Sequence, residues 1–230
     1  MEVLYEYRGL LWEGTVVTIQ LAIVSVVLSV LLGLVGAMAK LSENPLAQTI
    51  AGAYTTLIRG VPELVLMLLL FYAGQQAINS ISEATGFGYV EIDQFLAGSL
   101  TIGFIYGAYM TETFRGAILA IPRGQIEAGI ACGMSRSLLF RRITWPQMVR
   151  YALPSFRNNW LVLIKATALV SIIGLQDLVY MAFTAGRSVR QLFTFMFAVL
   201  IIYLILTALS EFGLRRLEIK YSAGVRQSEA

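Results

Sequence analysis

The stretch "EAGIACGMSRSLLFRRITWP", Glu127–Pro146, decides how the chain is read. It lies between long apolar runs, yet it carries Arg136, Arg141 and Arg142 and a glycine, Gly133, near its middle. Ile126, Ile130 and Met134 recur at helical spacing, and so do Leu138, Leu139 and Ile143. The glycine interrupts the pattern, and Ser135 has the side chain to cap a following helix. The spacing predicts two short amphipathic helices joined at Gly133-Met134-Ser135. Physics leaves two roles open for such an insert. Its arginines can lie against anionic lipid headgroups, or it can dock a cytoplasmic partner.

The flanks supply the frame. Of 230 residues, 57% are hydrophobic and 13% charged, about half the charged share of a soluble domain. Apolar runs reach the ~20 residues that cross a bilayer as a helix. The expectation is an all-α membrane protein of one domain, 1–230, with five transmembrane helices at about 16–39, 54–78, 95–119, 160–183 and 192–214. The basic insert then occupies about 122–154. The acidic start "MEVLYEYRGLLWEG" lacks the basic region of a signal peptide, so the first run is expected to be retained.

Charge orients the bundle. Thirteen of the 17 Lys and Arg residues fall on one side: Lys40 and Arg59, seven arginines from Arg115 to Arg157, and the C-terminal Arg215, Arg216, Lys220 and Arg226. The other side has Arg8, Arg187 and Arg190. The positive-inside rule places the N-terminus outside, the C-terminus in the cytoplasm and the insert on the cytoplasmic face. Gly103 and Gly107 form a G-x-x-x-G that permits close helix approach, expected within the chain rather than between chains.

Ionisable groups at membrane depth are functional candidates by default. Glu63 follows a break at Gly60 and Pro62. Counted along a continuous helix from Tyr54 it lies about 13 Å into the span, where a carboxylate can pair with a cationic substrate or a protein cation. Glu112 and Arg115 are three apart and share a helix face, which favours a structural salt bridge. Lys165, early in the fourth run, is expected to snorkel to the cytoplasmic interface. Tyr72, Tyr106 and Tyr109 can shape a pathway, though most aromatics in spans simply pack. Gln176 and Asp177 are expected in a solvated outer loop. The chain has no histidine and one cysteine, Cys132, and lacks the G-x-x-x-x-G-K-[ST] phosphate loop. It is therefore expected to perform no catalysis, hold no metal and bind no nucleic acid; any energy comes from another subunit. An intramembrane enzyme lacks a convergent catalytic set, and a pure membrane anchor needs neither a broken span nor Glu63.

The insert resembles a known signature. Glu127-Ala128, Gly133, Ile143 and Pro146 are similar to the EAA loop of ABC importer permeases, with Gly129 in place of the second alanine and Trp145 in place of a leucine. "TTLIRGVPELVLMLLLFY", "GFIYGAYMTETFRGA" and "NNWLVLIKATALVSIIGLQDLV" resemble the polar amino-acid permeases, in particular the Q-type subunits of importers of histidine, lysine, arginine and ornithine. The resemblance covers nearly the whole chain. It implies a type I importer core in the bacterial inner membrane, paired with a second, homologous permease subunit as a heterodimer, with a homodimer left open. It also implies two cytoplasmic ATPase subunits carrying ATP and Mg, and a periplasmic amino-acid-binding protein. It makes Glu127, Ala128, Gly133, Arg136, Arg141 and Arg142 the ATPase-coupling residues. Glu63, Tyr109 and Glu112 become candidates for substrate contact, with Gly60, Pro62, Arg115 and Lys165 structural. Another polar amino acid or an opine remains an alternative substrate.

Overall fold

The computed structural model describes residues 2–86 and 88–222 and is helical, with no strand among the described residues. A short α1 (Glu2–Glu6) leads into α2 (Arg8–Leu41), then α3 (Pro45–Gly60), α4 (Glu63–Ala84) and α5 (Gln94–Leu119). The insert gives α6 (Arg123–Ala131) and α7 (Arg136–Leu139). A π-helical turn (Phe140–Thr144) runs into α8 (Trp145–Ala166), which tightens to a 3-10 segment (Thr167–Ile173) before α9 (Leu178–Ser188) and α10 (Leu192–Ser222). Arg226 lies outside the described residues.

Helix α5 is the centre of the bundle. It packs along α2 for most of its length and against α8, with α3 and α4 beside it. Among the described residues four helical stretches are long and apolar enough to cross a membrane, Arg8–Leu41, Glu63–Ala84, Arg136–Ile173 and Leu192–Tyr221; α5 is not among them. Its glycines, serines and threonines lower its hydropathy, and this is tolerated because its neighbours bury it: Ile102, Ile105, Tyr106 and Met110 are at most 2% exposed. The G-x-x-x-G contact is intramolecular, as expected. A Cβ on Gly103 would meet Leu28, and one on Gly107 would meet Leu32 and the Tyr54 hydroxyl. On the facing side of the same seam, a Cβ on Gly33 would lie 3.0 Å from the Met110 carbonyl carbon.

Two expected runs are interrupted. The run 54–78 is split between α3 and α4: Val61 is extended (φ −115°, ψ 142°) and Pro62 precedes the first residue of α4. Proline forces the residue before it out of the helical region, so the sequence break is a complete one, and depth counted along a continuous helix from Tyr54 does not apply to Glu63. The run 160–183 ends early because Gly174 adopts φ 92°, and α9 starts afresh at Leu178. At the other end α8 begins 15 residues before the expected start at Trp160 and continues directly from the π-helical turn, with Pro146 at the junction.

Asp177 corrects another expectation. It is not in a solvated loop but fully buried, 0% exposed. Its Oδ1 accepts the Tyr180 N–H at 2.9 Å and caps α9. Beside it the Leu178 N–H donates to Thr18 Oγ1 of α2 at 3.2 Å. The helices touch so closely here that a Cβ on Gly14 would lie 2.8 Å from the Leu178 Cα.

Candidate functional site

A polar cavity opens where α3, α5 and α8 meet. One lobe, about 460 Å³, is lined by Arg59, Tyr109, Glu112, Thr113, Pro154 and Asn158 among others. The second, about 520 Å³, shares Arg59, Tyr109 and Glu112 and adds Lys40, Thr55 and Gly60. Pro154 lies inside the α8 helix here without ending it. Its missing N–H leaves the Arg150 carbonyl without a helical partner, which a membrane helix tolerates beside a cavity.

Glu112 is already engaged. Lys40 Nζ donates to its Oε1 at 2.5 Å, and Arg115 donates to Oε2 from Nε and Nη2 at 3.0 and 2.9 Å. Lys40 also donates to Thr55 Oγ1 at 2.7 Å, which ties α2, α3 and α5 together. This satisfies the salt-bridge reading of Glu112 and Arg115. Lys40 was legible only as a flanking charge, because its partner lies 72 residues away.

Glu63 sits differently. It is the first residue of α4, where a carboxylate faces the positive end of a helix dipole. Both its oxygens accept from the Tyr106 hydroxyl at 3.1 Å. Among the described residues no Lys or Arg forms a salt bridge with it. Tyr106 leads on to the Tyr109 ring at 5.6 Å, and the Arg59 guanidinium stands 5.5 Å from that same ring. The structure thus brings Tyr109 and Glu112 into the cavity wall, while Glu63, half-buried and held by Tyr106, is not among the residues that line either lobe. Arg59, Asn158 and Asn159 complete the wall; sequence reasoning missed them because single polar residues at segment ends carry no pattern. Gly60 and Pro62 make the break that brings Arg59 to the cavity.

Lys165 is exposed, and it falls at the far end of α8, not the basic end. About 30 Å of helix separates it from Trp145.

The insert forms the two helices expected. Gly133 is left-handed (φ 74°). Its N–H donates to the Ile130 carbonyl and the Met134 N–H to the Gly129 carbonyl, at 2.9 and 3.1 Å, which is a Schellman ending. Ser135 Oγ then accepts the Leu138 N–H at 3.4 Å. Glu127, Ala128, Gly133, Arg136, Arg141 and Arg142 are all exposed. Gly129 is the only buried residue of α6, and an alanine there would put its methyl 2.5 Å from Leu139 Cδ1 and 2.9 Å from Ile143 Cδ1. The departure from Glu-Ala-Ala therefore lets the two helices close on each other. Trp145, the other departure, is half exposed and stacks obliquely on Phe140 at 6.0 Å. We expect Gly129→Ala to be nearly neutral. The ~1 kcal/mol gained in helix propensity offsets the movement of two flexible side-chain ends, and thermal melting should shift by no more than a few degrees.

Comparison with known proteins agrees with this architecture. The chain is 52% identical over 226 residues to the histidine/lysine/arginine/ornithine transport system permease protein HisQ of Escherichia coli, covering 98% of this chain and 99% of that one. It is 38% identical over 216 residues to the octopine transport system permease protein OccQ of Rhizobium radiobacter, covering 94% and 91%. The crystal structure of an amino acid ABC transporter with histidines superposes with a TM-score of 0.80 at 28% identity, over 94% of this chain and 96% of that chain. Residues 29–222 match the sequence profile of the binding-protein-dependent transport system inner membrane component. The chain therefore belongs to that family: it is a multi-pass inner-membrane permease of the ABC importer type, built on the type I permease fold.

Proposed function

We propose that this chain forms half of the translocation pathway of an ATP-driven importer of basic amino acids: histidine, lysine, arginine and ornithine. The observation that carries the substrate class is Glu63, a carboxylate with no cation paired to it among the described residues, beside the α3–α4 break. The near-full-length similarity to HisQ supports it. In this reading the Tyr106 hydroxyl holds Glu63 ready for a cationic side chain, and Tyr109 offers a ring face to the same charge. The chain crosses the membrane five times, by α2, α4, α5, α8 and α10. Its insert faces the cytoplasm, as its arginines favour.

Coupling runs through the insert. Helix α6, with Glu127 and Ala128, docks on an ATPase subunit, and Arg136, Arg141 and Arg142 make charge-assisted contacts there. A second, homologous permease subunit completes the pathway, and ATP and Mg reside on the two ATPase subunits. A periplasmic binding protein delivers substrate. Movement of the ATPases is passed to the spans as rigid-body displacement.

The direct test is reconstitution with these partners in proteoliposomes. ATP- and binding-protein-dependent uptake of radiolabelled arginine is expected; recruitment of the ATPase without flux would overturn the reading. The octopine relative marks a second reading, an opine or another polar amino acid as substrate. Competition of arginine uptake by histidine, glutamine and octopine separates the two. Glu112→Gln should behave as a structural change. It leaves Lys40 and Arg115 short of their shared carboxylate, for a cost of about 1–2 kcal/mol after allowance for partial exposure. Uptake of every substrate should fall in proportion to the amount of folded protein. A selective loss of one substrate would instead make Glu112 a substrate contact.

A further inference from the structure

A long apolar furrow runs along the outside of the bundle. Helices α2 and α10 make little direct contact, and α8 forms the floor of the gap between them. Two cavities lie in line within it. The one toward the basic insert, about 230 Å³, is lined by Val30, Leu34, Phe114, Trp145, Met148 and Leu217 among other apolar residues. The other, about 160 Å³, continues along the same three helices, past Ile23, Trp160 and Leu209. Its only hydroxyls are Thr18 and Ser210, and Thr18 donates to the Gly14 carbonyl of its own helix.

The furrow faces away from the polar cavity. Phe114 and Glu112 are two residues apart on α5, and Phe156 and Asn158 two apart on α8, so each pair points in directions about 200° apart. The apolar member of each lines the furrow and the polar member the pathway. From Leu206 to Leu217 the furrow follows α10 for about 16 Å. One leaflet of hydrocarbon is about 15 Å deep. Its mouth is basic: Arg216 adjoins Leu217, Lys220 lies one turn beyond, and both are exposed and outside every salt bridge among the described residues. The nearby acid Glu218 is taken by Arg157 at 2.7 Å. Trp145 at the same end has the amphipathic ring favoured at membrane interfaces.

We propose that this furrow is a binding site for an anionic phospholipid of the leaflet on the side of the insert. One acyl chain lies between α2 and α10 over α8, and the headgroup is held by Arg216 and Lys220. Length, apolar lining and charge all fit that occupant, whereas a soluble partner has no access to the buried end and a zwitterionic lipid leaves the two cations unanswered.

The test places a photo-crosslinking amino acid at Leu209, in the furrow, and separately at the exposed Val35 on the α2 span, outside the furrow lining. The assembled transporter is irradiated in native membranes, and the adducts are identified by mass spectrometry. Leu209 should capture phospholipid with anionic headgroups enriched about fivefold or more over Val35, since each basic residue near a membrane surface favours an anionic lipid by about that factor. Arg216→Gln combined with Lys220→Gln should return the ratio to that of Val35. The proposal is overturned by a protein adduct at Leu209, by no lipid adduct there while Val35 reacts, by equal headgroup ratios at the two positions, or by a ratio that the double substitution leaves unchanged.

Discussion

Gly14→Val is expected to remove most of the protein from the membrane. The added Cβ would sit 2.8 Å from the Leu178 Cα, 3.0 Å from its nitrogen and 3.1 Å from the Asp177 carbonyl oxygen. All three are backbone atoms, so no rotamer change relieves the clash. Helix α2 must move away from the start of α9, breaking the Leu178 N–H to Thr18 bond and opening the closed surroundings of Asp177 to unsatisfied polar contact. Overpacking alone costs 1–3 kcal/mol and sometimes more, and a newly unsatisfied buried donor adds about 1–3 kcal/mol. That is comparable to the whole stability of a marginal bundle. Quantitative immunoblotting of membranes should show a drop of about tenfold, with Gly9→Val, at a position where an added Cβ meets nothing within 4 Å, near the wild-type amount. Equal amounts of the two variants would refute the close α2–α9 packing.

Glu63→Gln is the second large effect, and it separates chemistry from stability. Glutamine keeps the shape and can still accept from the Tyr106 hydroxyl, so folding should be preserved. What disappears is the negative charge. A charge-assisted contact contributes about 1.5–3 kcal/mol, so arginine uptake should fall by about tenfold or more, while the ATPase activity of the assembled complex without substrate stays within about twofold. Equal loss of uptake and basal ATPase would return Glu63 to a structural role, and no loss would remove it from the pathway.

The fold was largely legible because membrane helices are long and their breaks are chemical. Four of the long apolar stretches, the two-helix insert and the close helix contact at Gly103 and Gly107 follow from hydropathy, from Gly133 and Ser135, and from the spacing of the two glycines. What escaped depends on tertiary neighbours. The low hydropathy of α5 makes sense only once α2 and α8 surround it. Asp177 reads as a loop acid until the close approach of α2 encloses it. Within the site, the Glu112–Arg115 pair was visible at its helical spacing. Its third member, Lys40, and the exposure of Arg59 to both cavity lobes needed contacts across helices that sequence distance hides.

The π-helical turn at Phe140–Thr144 has a consequence for exchanging parts between permeases. It joins α7 to α8 without a break, so Arg136–Ile173 is one helical rod of 38 residues that carries both the exposed arginines of the insert and the cavity-lining Asn158 and Asn159. A chimaera cut in the middle of that rod would reset its helical phase and turn the cavity residues away from the pathway. The chain offers its own seams at Gly133 and Gly174, the two left-handed residues that bracket the rod. A graft from one to the other moves the arginines of α7 and of the π-helical turn together with the cavity wall as a single module, and leaves α6 behind.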